Sequence, residues 1–360
     1  MQVVASAPAR MGPARIGDWA ARVERLGFDV LHVSETVHDP FTVAALALRE
    51  TARLVVRTSM VVAFPRSPMI TAYAAWDLAE YSGGRFELGI ASQVRGNIVG
   101  RFSAEWSDPV SRLGDYIGAL RTIFRSFQTG EPLDHVGPHY RFDRLQPYFN
   151  PGPIDTPAPP IWTGAVNRRM CAMAGELADG FVCHPTTSHP RLLHSLILPA
   201  LAQGAARGGH GDRPPAVVAN PQPVVAASRA DLEAERERRR SELAFLYSTP
   251  AYRRQLETFG LADLADRLAA TAQRSEWTAL PHHLTDEVMA VLVPEGTHRE
   301  IADLLTERYS GLCTGLVLPV PTDPAHDGAL ADLVERCRRI PPAASAAAGA
   351  GGADGPAPGR

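Results

Sequence analysis

Short apolar runs and amphipathic stretches alternate along most of the chain. Val3-Val4-Ala5 is a compact apolar run. Ile16, Trp19, Ala20, Val23 and Leu26 follow at helical spacing and stop at Gly27, as a helix closed by glycine does. Residues 29–33 read as a second strand, and Asp39-Pro40 opens a helix with Asp as N-cap and Pro at the first helical position. Residues 55–63, rich in β-branched side chains, give a third strand, 71–81 a helix and 86–91 a fourth strand. Asp108-Pro109 starts another helix, with Val110, Leu113, Ile117, Leu120 and Phe124 on one face. A proline-rich stretch over 130–160 interrupts the rhythm. It resumes with strands at 161–163, 180–184, 216–226 and 315–319 and a last helix at 328–339. Between the seventh and eighth strands lies a helical excursion over 229–308. It contains a capping box, Thr297-His298-Arg299-Glu300. Its charge run, Glu235-Arg236-Glu237-Arg238-Arg239-Arg240, reads as a solvated helix face.

Eight β-then-α units favour an α/β fold closed into a (β/α)8 TIM barrel with insertions over an open sheet. Residues 1–340 form that barrel, and 341–360, dominated by Ala, Gly and Pro, are expected to be a disordered tail.

Composition narrows the classes. Hydrophobic residues make up 45% of the 360, enough for a large core. No apolar run is long enough to span a bilayer, and the basic-then-apolar pattern of a secretion signal is missing. A formal charge of −3 argues against nucleic acid or an anionic membrane as partner. All 36 basic residues are arginine, so Schiff-base lysine chemistry is excluded. Cys171, Cys183, Cys313 and Cys337 are scattered, which suits a reduced cytoplasmic protein.

In a parallel barrel, chemistry gathers just past the C-terminal ends of the strands. Five groups sit there. Glu35 and His38 follow the second strand, as groups that can handle protons or orient a substrate; Asp39 is more simply the helix cap. Val62, Ala63, Phe64 and Arg66 follow the third strand. Ser92, Gln93 and Asn97 follow the fourth, with hydroxyl and amide groups able to bond a ring cofactor. Thr163, Gly164, Ala165 and Val166 lead from the fifth strand towards a helix start, with Arg168 and Arg169 adjacent, a plausible anion site. His184 follows the sixth, either as a ligand contact or as a satisfied barrel histidine. Ser82-Gly83-Gly84-Arg85 lies at the opposite end and reads as structural. His135 and His139 are separated by Gly137-Pro138 and make no helical metal face, so no metal is expected. Dinucleotide, Walker, nucleophile-elbow and zincin motifs do not occur.

Ser82-Gly83-Gly84-Arg85-Phe86, then Leu88-Gly89-Ile90, with Ala178-Asp179-Gly180 further on, resembles the bacterial luciferase-like family of flavin- and deazaflavin-dependent oxidoreductases. Glu35-Thr36, His38-Asp39-Pro40-Phe41 and the segment from Phe245 to Arg253 resemble its F420-dependent subgroup. The resemblance implies coenzyme F420 and hydride transfer between the deazaflavin C5 and a small organic substrate. It places a non-proline cis peptide at Ala63-Phe64 or Val62-Ala63, backing the ring, with the cofactor phosphate near Gly164. It gives His38 a proton-donating or orienting role, assisted by Glu35, and places the ring's pyrimidine edge near Ser92, Gln93 and Asn97. Three departures stand out: Thr36 occupies the place of the family's histidine, Gly96-Asn97 stands where a histidine is expected nearby, and the tail after Pro341 has no counterpart. An FMN-dependent, O2-using monooxygenase and a non-catalytic cofactor-binding barrel are the alternatives. A homodimer is expected, with the excursion as lid or dimer surface. All these readings require Glu35, His38, Ala63, Ser92, Gly164 and His184 to line one cavity.

Overall fold

A computed structural model describes residues 1–211 and 214–344. Eight parallel strands close into a barrel: β1 (Gln2–Ser6), β2 (Val30–Val33), β3 (Val55–Thr58), β4 (Phe86–Ala91), β5 (Ile161–Thr163), β6 (Gly180–Val182), β7 (Ala216–Ala219) and β8 (Gly315–Val317). Closure is made by Val3 against Leu316 and by Val56 against Phe86. The outer layer is α1 (Pro13–Arg25), α2 (Pro40–Arg49), α3 (Pro68–Ser82), α4 (Pro109–Thr129), α5 (Arg168–Leu177), α6 (Leu198–Arg207), α7 (Ile301–Tyr309) and α8 (Asp327–Arg338).

Two cores follow from strand alternation. Val4, Val30, Trp162, Val182, Ala216, Val218 and Val317 fill the barrel interior. Val3, Ala5, Leu31, Val56, Leu88 and Leu316 pack outward against the helices. Helix entries are fixed locally: Asp39, Ser67 and Asp108 each accept a backbone N–H of the first turn and precede a proline. At the N-terminal end of the barrel, Gly83 (φ 62°) and Gly84 (φ 83°) make the turn. Arg85 there donates to the carbonyls of Leu48, Leu54 and Ser82, so this motif staples α2, β3 and α3.

Five expectations need correction. The third strand is broken: Ser59-Met60 is a cis peptide, Val61–Val62 continues the strand, and Val62-Ala63-Phe64 holds no cis bond. The seventh strand ends at Ala219; Val224–Ala226 instead pairs with Glu295–Thr297 outside the barrel. Asn220-Pro221 separates the two, and proline interrupts a ladder. The charge run is a solvated face only in part: Glu237 and Arg238 are exposed. On the helix Arg229–Tyr247, Arg239 and Arg240 are buried, bonded to Gln222 and to the Leu284 carbonyl. The capping box is half formed: Glu300 accepts from the Thr297 N–H and hydroxyl, and α7 begins only at Ile301. Finally, the expected tail begins inside the body, because Ala343 N–H donates to the Cys313 carbonyl at 2.8 Å; its remainder, 345–360, lies outside the described residues.

The excursion carries its own core, including Leu232, Leu243, Tyr247, Leu256, Leu268 and Leu280. α7, at its end, belongs instead to the barrel's outer layer through Ile301, Leu305 and Tyr309. No helix among the described residues is long and apolar enough to cross a membrane. No group of three metal-ligating side chains is found among them.

Candidate active site

A cavity of about 620 Å³ opens at the C-terminal ends of the strands, where this fold places its chemistry. Glu35, Val62, Ser92, Gln93, Gly164, Ala165, Val166 and His184 line it. His38, Ala63, Phe64, Asn97 and Thr163 lie outside the lining. So four of the six residues expected to converge do so, and His38 and Ala63 do not.

Each exclusion has a local reason. The lining ends at Thr36; Val37 is exposed, and His38 is half-buried just ahead of the Asp39 cap. Ala63 is fully buried in the core facing the helices. Phe64 packs edge-on to Trp106 at 5.9 Å and under the Arg112 guanidinium at 4.5 Å; it buttresses Trp106, which does line the cavity. Asn97 sits in a short helix, Arg95–Gly100, where its carbonyl accepts from Arg101 and Phe102. Thr163 is fully buried in β5.

The wall after β2 and β3 is rigidly tied. The Glu35 carboxylate accepts from the Val62 N–H at 2.7 Å and from Arg66 at 2.9 Å. Both oxygens are engaged, and its side chain is 7% exposed. Glu35 therefore holds the Val61–Val62 wall, with both of its oxygens occupied as acceptors. Met60 reaches towards the β5 loop: its methyl would lie 3.5 Å from a Cβ at Gly164, and it lines the cavity beside Val61 and Val62.

The opposite side suits an anion. Gly164 admits no side chain, since a Cβ there would meet the Val182 carbonyl oxygen at 2.7 Å. The loop therefore lies flat against β6, and α5 begins directly after it. Asn167 caps the Met170 N–H, while among the described residues the N–H groups of Ala165, Val166, Asn167, Arg168 and Arg169 have no protein acceptor. Such a run at a helix N-terminus favours phosphate. Gln93 adopts φ 60° at the end of β4, with its Oε1 accepting from Val94; a non-glycine residue held there is common at ligand sites.

His184 stacks on Tyr252 at 4.5 Å. Its Nδ1 accepts from the Thr186 N–H and pairs with the Thr186 hydroxyl. Burial pulls its pKa down to about 4, so at neutral pH the ring is uncharged and its proton sits on Nε2. Sequence reading missed Ser59, Met60, Trp106, Asn220 and Tyr252 as lining residues. The available signal was Asn220-Pro221, a strand-ending dipeptide; nothing in the sequence ties Tyr252, far along the excursion, to β6.

A second concavity, about 590 Å³, lies between α4, α5 and α6. It is outside the barrel and lined by Met173, Leu177 and the Arg207–Glu176 ion pair, so it is not the strand-end site.

Comparison with known proteins agrees with this architecture. An uncharacterized protein of Mycobacterium tuberculosis is 38% identical over 307 residues, 85% of this chain and 90% of that protein. An F420-dependent glucose-6-phosphate dehydrogenase of Intrasporangium calvum is 30% identical over 213 residues, 55% of this chain and 61% of the relative. The coenzyme F420 dependent tetrahydromethanopterin reductase of Methanopyrus kandleri shares the fold at TM-score 0.76, with 17% identity, covering 93% of this chain and 97% of that one. An FMN-bound type II Baeyer-Villiger monooxygenase of Pseudomonas putida does so at TM-score 0.69, with 15% identity, covering 96% and 100%. The model of the luciferase-like monooxygenase family matches residues 2–314, and the chain belongs to that family of enzymes.

Proposed function

We propose that this enzyme binds coenzyme F420 in the strand-end cavity and transfers a hydride between the deazaflavin and a small organic substrate. The observation that carries this reading is one cavity with two different linings: the apolar wall Met60, Val61 and Val62, and the unpaired amides of 165–167. A flat ring suits the first and a phosphate the second. Relatives named as F420-dependent glucose-6-phosphate dehydrogenases support the deazaflavin over FMN. The bound deazaflavin supplies the two-electron chemistry. The chain's own residues do the rest. Glu35 and Arg66 fix the wall, Gly164 keeps the loop open to the phosphate, and His184 presents an Nε2–H to the cavity.

Titration of the purified protein with F420 and with FMN, followed by fluorescence quenching, tests the reading. Saturable quenching of F420 at lower concentration than FMN is the expected result; tight FMN binding without an F420 response overturns it and favours an O2-using monooxygenase. We also propose a homodimer. Ile70 on α3 and the neighbouring Tyr148 and Phe149 are exposed large hydrophobics, and Phe149 is tied to α3 through the Tyr73 hydroxyl; light scattering at micromolar concentration reporting monomer alone would refute it.

A further inference from the structure

The cavity lining includes a pair of donors whose direction the surrounding protein fixes. Asn220 lines the cavity just past β7, as His184 does just past β6. They stand two residues beyond Val218 and Val182, which are paired across the two strands. The fully buried Ser188 hydroxyl joins them, donating to the His184 carbonyl at 3.1 Å and accepting from the Asn220 N–H at 2.8 Å.

The orientation of the Asn220 amide is set from outside the cavity. Arg239, buried in the excursion, donates to the Gln222 side chain. A guanidinium only donates, so the Gln222 atom facing it is Oε1. Gln222 Nε2 is then the donor to Asn220 Oδ1, at 3.1 Å. Asn220 Nδ2 is left with two N–H groups and no protein acceptor among the described residues. The His184 ring is fixed in the same manner: the Thr186 N–H only donates, so Nδ1 is the acceptor and Nε2 the donor.

We propose that His184 Nε2–H and Asn220 Nδ2–H form a two-donor clamp that selects a substrate carbonyl oxygen, with Gln222 and Arg239 as positioning residues. Both donors are uncharged, which matches a neutral acceptor rather than a phosphate. The amides proposed for the phosphate are those of 165–167 on the neighbouring loop. The clamp rests on the proposed function for its role in turnover, since it would hold the oxygen of the group that exchanges the hydride; its binding preference stands alone.

The test uses the full chain, with and without F420, and two isosteric probes, acetophenone and α-methylstyrene, in ligand-observed NMR titrations. The wild-type protein should bind the ketone more tightly than the alkene. Asn220→Asp places an acceptor where a donor stood. Gln222→Glu presents acceptors to both neighbours and turns the Asn220 amide round without touching the cavity. Each should weaken acetophenone about tenfold, the scale of one lost hydrogen bond, while leaving α-methylstyrene unchanged, which also shows that the cavity is intact. Equal binding of the two probes by the wild type, or an unaltered preference in both variants, overturns the clamp. A retained ketone preference in a protein that does not bind F420 supports the clamp and rejects the cofactor reading.

Discussion

Arg57 carries its guanidinium inside the barrel, fully buried, 3.4 Å from the centre of the Trp162 ring. Nε donates to Glu87 at 2.5 Å, and Nη1 meets His32 Nε2 at 3.1 Å. Burial and the adjacent guanidinium hold the His32 pKa well below the ordinary histidine value, so its Nε2 accepts. This cluster lies one layer below the cavity floor, since Arg57 and Trp162 precede Ser59 and Gly164 by two residues each. Removing one partner of a buried pair strands the other charge. Glu87→Gln should therefore destabilise by about 3 kcal/mol or more in urea unfolding, whereas replacing both partners with apolar residues should cost much less. His184 gives a second expectation. Its folded pKa of about 4 lies below the ordinary histidine value of about 6.5, so the unfolded chain binds the proton first as pH falls. Its contribution is intact above pH 6.5 and is lost between 6.5 and about 4, at up to about 1.4 kcal/mol per pH unit. His184→Gln should flatten the stability–pH profile in that window; an unchanged slope would contradict the buried neutral ring. None of Arg57, Glu87 or His32 stood out in the sequence. Each is one polar residue in an apolar strand, and only the barrel register brings His32 opposite Arg57 and Arg57 opposite Glu87.

Among elements, the loop from β5 into α5 shows most clearly what sequence can and cannot reveal. Gly164, a helix start and Asn167 were legible as an anion site because each acts locally: missing Cβ, cap, free amides. Gly164→Ala would press the new methyl against the Val182 carbonyl and push the loop off β6. Fluorescence titration should then show F420 bound about tenfold more weakly or worse, with thermal unfolding little changed. Wild-type affinity in that variant would remove the loop from the site. The third and seventh strands were less legible. Val61–Val62 reads as an unbroken continuation of 55–58, because β-branched residues favour extended chain whatever the peptide geometry between them. Val224–Ala226 likewise has the composition of a barrel strand, and its partner, Glu295–Thr297, is 69 or more residues away. Arg239 and Arg240 looked solvated because charge runs usually are; their acceptors, Gln222 and the Leu284 carbonyl, come from other elements.

Across the whole molecule, a barrel and an excursion with its own core meet over the cavity. Tyr252 covers His184, and Gln255, 2% exposed, donates to the Val166 carbonyl at 3.0 Å. The excursion thus packs over the 164–167 loop and, through Arg239 and Gln222, reaches the Asn220 side chain that lines the cavity. The barrel itself was readable from its alternating runs, because each βα unit must bury an apolar face on the same sheet. Which excursion residues reach the cavity was not, because that depends on how the second core docks on the first. The proposed F420 site lies between the Met60–Val62 wall and the 165–167 amides. Hydrogen exchange measured peptide by peptide, with and without saturating F420, tests it directly. The account requires new protection at 59–66 and at 164–170 together. F420 bound with neither segment protected would contradict it.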